Sequence, residues 1–77
     1  MNKARRKALG EIYDALALLA ERLEELIDEE NEALGNVPES LQGSDRYQSA
    51  EEAVNNLEIA LEILVTVYEY IVDTIEA

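Results

Sequence analysis

The chain has 77 residues, with 18 Asp or Glu against six Lys or Arg, a net charge of −12, and no Cys, His, Trp or Phe. This composition excludes a disulfide framework, thiolate or imidazole metal sites, and any Cys–His or Ser–His catalytic pair. Direct nucleic-acid binding needs clustered positive charge and is disfavoured, while 48 % hydrophobic residues is too many for a disordered acidic tail.

The opening residues Lys3, Arg5, Arg6 and Lys7 are basic, but Glu11 and Asp14 interrupt the apolar residues after them. No secretory leader is therefore expected. The first segment runs from about residue 3 to 34. Leu9, Ile12, Leu16, Leu19, Leu23 and Leu26 recur at alternating intervals of three and four, the rhythm of a helical seam. Tyr13, Ala20 and Ile27 widen it on one flank and Ala15 on the other. Asn2 is placed to cap the start, and Gly35 to end the helix in the left-handed conformation.

Gly35, Pro38 and Gly43 punctuate a loop over residues 35–44. Leu41 is expected to fold back over the open end of the two helices. Asp28, Glu30, Glu32 and Glu39 have the spacing of a calcium loop, but its sixth position is Ala33 rather than Gly, so no calcium site is expected.

The second segment spans about 45–76. Tyr47, Ala50, Val54, Leu57, Leu61, Leu64, Tyr68, Ile71 and Ile75 form its seam. Ser44 can cap it, and Ser49 with Glu52 offers a capping box one turn later. Two long helices and a short loop predict an all-α fold, an antiparallel helical hairpin over residues 1–77. The basic start would then lie beside Glu69, Asp73 and Glu76, which would offset its unfavourable place at a helix N-terminus.

On a helical wheel Glu58, Glu62, Thr66, Glu69 and Asp73 share an arc of roughly 80°. Ile59, Ile63, Val67 and Tyr70 lie beyond the seam, an excess of apolar surface that must meet something in water. The first helix is expected to lack such an excess. A homodimer packed through the second helix into a four-helix bundle is the simplest solution. The richest apolar stretch, 57–72, holds Glu58, Glu62 and Glu69 and is too short and charged to span a bilayer.

Carboxylates are the only abundant reactive groups. Glu21 with Glu24, and Glu25 with Asp28, have the spacing of magnesium-binding pairs, as many solvated acidic helices do. No enzyme activity, metal or cofactor is expected. Residues 8–77 hold 18 acids and only two bases, Arg22 and Arg46, a balance of −16. Regularly spaced carboxylates on rigid helices can stand in for backbone phosphates and occupy a basic groove on another protein. Glu11, Asp14, Glu21, Glu25, Asp28, Glu29 and Glu32 are the candidates for such a surface. The competing reading is an adaptor that docks through Ile59, Ile63, Val67 and Tyr70.

The opening Met1-Asn2-Lys3-Ala4-Arg5-Arg6-Lys7-Ala8-Leu9 and the linker Asn36-Val37-Pro38-Glu39-Ser40-Leu41-Gln42-Gly43-Ser44, with Arg46-Tyr47 after it, resemble a group of small acidic helical proteins of bacterial phages and mobile elements. The resemblance covers nearly the whole chain and carries no assigned site residues. It implies a protein acting in the cytoplasm of a bacterial host. Small acidic proteins of such elements often block host defence nucleases or restriction enzymes, some by imitating DNA. The expected function is thus non-enzymatic inhibition of a defence or nucleic-acid-handling protein.

Overall fold

Two α-helices joined by a tight loop make up the chain. In the computed structural model, which describes residues 1–77, α1 spans Lys3–Gly35 and α2 spans Asp45–Glu76, with a 3-10 turn at Glu39–Leu41 between them. Both helices start where a capping side chain is available. Asn2 Oδ1 accepts from the Arg5 amide at 2.8 Å, and Ser44 Oγ accepts from the Tyr47 amide at 3.2 Å. Ser44 rather than Ser49 therefore sets the start of α2.

The end of α1 departs from expectation. Gly35 is the last helical residue, and no residue of the chain has a positive φ. The closing carbonyls are satisfied without a left-handed turn. The Asn36 amide is shared between the Glu32 and Ala33 carbonyls at 3.2 and 3.3 Å, and the Val37 amide donates to Leu34 at 3.2 Å. These bonds tighten the last turn and leave nothing for a left-handed residue to cap. Residues 28–35 thus continue a helix, so the carboxylates spaced like a calcium loop do not form one.

The loop also differs. Leu41 is 55 % exposed and does not close the end of the hairpin. Val37 is the half-buried loop residue instead. The bond from the Leu41 amide to the Pro38 carbonyl, 2.8 Å, winds the chain into the 3-10 turn and leaves the Leu41 side chain outward. Leu41 joins Leu34, Val37, Pro38 and Tyr47 in lining an open hollow of about 450 Å³.

The helices run antiparallel, with Tyr13 against Tyr68 and Arg6 against the end of α2. All nine expected seam residues of α2 are buried or half-buried, Val54 most deeply. On α1 only half of the expected seam faces the partner. Leu9, Leu16 and Leu23 do, but Ile12, Leu19 and Leu26 are 49 %, 56 % and 46 % exposed. Their places are taken by Tyr13, Ala20 and Ile27. Both rows flank the Leu9–Leu16–Leu23 line, one at i+3 and one at i+4, so both satisfy the same rhythm. What favours the i+4 row is its fit. Ala20 is small enough to let the two backbones approach. Tyr13 meets Tyr68 edge to face, with centroids 5.4 Å apart and planes at 89°, a geometry that stabilises beyond area alone.

This leaves a thin rod. The Cα extents are 59 × 14 × 13 Å and the radius of gyration is 17.6 Å, against about 11 Å for a compact domain of this length. Only Ala20, Ile27 and Val54 are buried.

Candidate functional site

At about 100° per residue, each helix divides into three stripes: the seam, an acidic stripe and an apolar stripe. On α1 the acids Asp14, Glu21 and Asp28 border one edge of the seam, while Ile12, Leu19 and Leu26 border the other. On α2 Glu51, Glu58 and Glu69 border one edge, while Ala60, Ile63 and Val67 lie past the other. The antiparallel arrangement matches these edges. Asn31, one turn after Asp28 on the same edge of α1, donates to Glu58 Oε1 at 3.5 Å. The acidic edge of one helix thus meets the acidic edge of the other, and both apolar stripes are left on the opposite broad face.

Glu11, Asp14, Glu21, Glu25, Asp28, Glu29 and Glu32 are all exposed. Asp14, Glu21 and Asp28 lie toward the shared acidic side, while Glu11, Glu25, Glu29 and Glu32 lie on the side of α1 away from α2. Leu18, 66 % exposed, sits within this acidic stretch. Glu51, Glu58, Glu62, Glu69 and Asp73 of α2 are exposed as well and extend the surface across the second helix. Their grouping on α2 was visible in the wheel, but only the pairing of the two edges joins them to the α1 acids. No three carboxylates converge on a point that could hold a metal ion.

The basic N-terminus lies beside the end of α2, as expected, but Arg6 reaches main-chain oxygens there. Arg6 donates from Nη1 to the Ile75 carbonyl at 2.5 Å and from Nη2 to the main-chain oxygen of Ala77 at 3.0 Å. Across the hairpin its partners are therefore main-chain oxygens at the end of α2, not the carboxylates of Glu69, Asp73 or Glu76, while its Nε donates to the Met1 carbonyl at 3.3 Å. A helix C-terminus presents both unpaired acceptors and a negative partial charge. A planar guanidinium can meet two such acceptors at once.

The apolar face is the larger departure. Ile59, Ile63, Val67 and Tyr70 are between 44 % and 70 % exposed. The first helix, expected to have no such excess, contributes Ile12, Leu19 and Leu26. No helix is long and apolar enough to cross a membrane. No family model, curated protein or solved structure matches the chain.

Proposed function

We propose that this chain is a non-enzymatic acidic interaction protein that occupies a basic groove on a nucleic-acid-handling protein and so excludes nucleic acid from it. The observation that supports this reading is the segregation of charge. Carboxylates from two rigid antiparallel helices share one broad face, and Arg22 and Arg46 are the only bases after residue 7. Repeated anionic groups on a fixed scaffold reproduce the part of a nucleic acid that supplies most of its affinity. The resemblance to small acidic proteins of phages and mobile elements makes a bacterial defence nuclease the favoured target. In this reading the chain acts as a homodimer, a four-helix bundle whose apolar surfaces are turned inward.

The test is competition. Increasing amounts of the chain are added to restriction and other defence nucleases bound to a labelled DNA duplex. Release of the duplex is expected from at least one of them, and it should weaken steeply as salt rises. The triple variant Asp14→Asn, Glu21→Gln and Asp28→Asn should lose most of that competition while keeping its helicity. A folded triple variant that competes as well as the parent overturns the reading.

A further inference from the structure

The apolar face has a rhythm of its own. Ile12, Leu19 and Leu26 recur every seven residues on α1. Ala60, Ile63, Val67 and Tyr70 are spaced three, four and three on α2. Seven-residue spacing places side chains along a nearly straight line that fits a facing helix of the same period. The occupant suited to this face is therefore a pair of long helices with matching periodicity, and the face must be apolar on both sides. A second copy of this chain meets each of these conditions.

Area and charge favour the same occupant. The chain exposes 5983 Å². A compact monomer of 8.6 kDa exposes about 4700 Å². The excess, about 1300 Å², exceeds the roughly 800 Å² that each partner buries in a stable complex. Between residues 8 and 29, no carboxylate lies on this face of α1. On α2 the two rows on this face, Ala53–Ala60–Val67–Thr74 and Ser49–Asn56–Ile63–Tyr70, hold no carboxylate. Face-to-face pairing would direct the acidic surfaces of the two copies to opposite sides, with two layers of helices between them. Like charges are thereby kept apart, which no pairing through the acidic side could do.

We infer that a second copy covers the apolar face formed jointly by α1 and α2, with Leu19 and Ile63 near its centre and the seam of each hairpin left intact. This rests on the proposal that the chain is a homodimer, and it assigns α1 an equal part in the interface. It also makes the assembly bivalent, with one acidic face on each side.

Neighbouring residues separate the possibilities. Sedimentation equilibrium on the full chain should give twice 8.6 kDa, with a melting temperature that rises with concentration. Leu19→Ala should raise the dissociation constant by about tenfold or more, whereas Leu18→Ala, next in sequence but in line with Glu11 and Glu25 on the side of α1 away from α2, should leave it unchanged. If Leu19→Ala loses helicity, Leu26→Ala must show the same weakening and Leu19→Met must restore the parental value. A chain that sediments as a monomer overturns the homodimer reading and this inference together. A dimer indifferent to both Leu19→Ala and Leu26→Ala, or equally weakened by Leu18→Ala, overturns the shared face alone and returns the interface to α2.

Discussion

Ala20 has no side chain long enough to hold the helices apart, and that is why it is buried while Leu19 beside it is not. The same choice is made at Tyr13 over Ile12 and at Ile27 over Leu26. In the sequence, the leucine-rich row was the more persuasive, because size and hydrophobicity rank Ile12, Leu19 and Leu26 above a tyrosine and an alanine. The wheel could not separate two rows that share one period; only the partner surface does. Taking Ile12, Leu19 and Leu26 as seam hides the apolar excess of α1 and assigns the whole excess to α2. Ile27, one of three buried residues, gives the corresponding prediction. Ile27→Ala should lower the unfolding free energy by about 2–4 kcal/mol, as expected for a buried aliphatic side chain, measured by urea denaturation.

At the scale of the element, breakers and caps made the helices legible. Asn2, Ser44, Pro38 and the absence of proline elsewhere place both helices to within a residue. The C-terminal end of α1 was less so. A glycine after a periodic run is read as a left-handed cap, but helical amides can close a turn by themselves, and at Asn36 they do. The ends of the helices also show where charge is used. The acids near the end of α1 oppose its dipole, and Arg6 favours that of α2. Arg6 is half-buried and joins residues 69 and 71 positions away. Arg6→Ala should therefore cost about 1 kcal/mol. Its signature should be local: amide exchange should accelerate in the last turn of α2 and stay unchanged around Val54.

The whole molecule is governed by its net charge of −12 and by its two unlike faces. The sequence revealed each stripe separately but not that the antiparallel turn would bring like stripes to the same side. That fact belongs to the relative rotation of the helices, which no single-helix pattern contains. Crowding carboxylates on one face raises the energy of the folded state, and added salt screens that repulsion. Raising sodium chloride from 0.02 to 0.5 M should stabilise the chain by about 1 kcal/mol, or roughly 4–8 °C in melting temperature for a domain of this size. Heating monitored by far-ultraviolet circular dichroism checks it, and a fall in melting temperature would show that specific ion pairs outweigh the general repulsion.

The edge-to-face tyrosines also give the molecule an optical identity. With no tryptophan and only four tyrosines, its ultraviolet emission comes entirely from Tyr13, Tyr47, Tyr68 and Tyr70. Tyr13 and Tyr68 are close enough to exchange excitation, so their signal tracks the opening of the hairpin. Tyr47 reports on the loop end, and Tyr70, 70 % exposed, on the outer apolar side. Replacing all but one chosen tyrosine with phenylalanine would turn each of these places into its own lamp, without attaching any foreign dye.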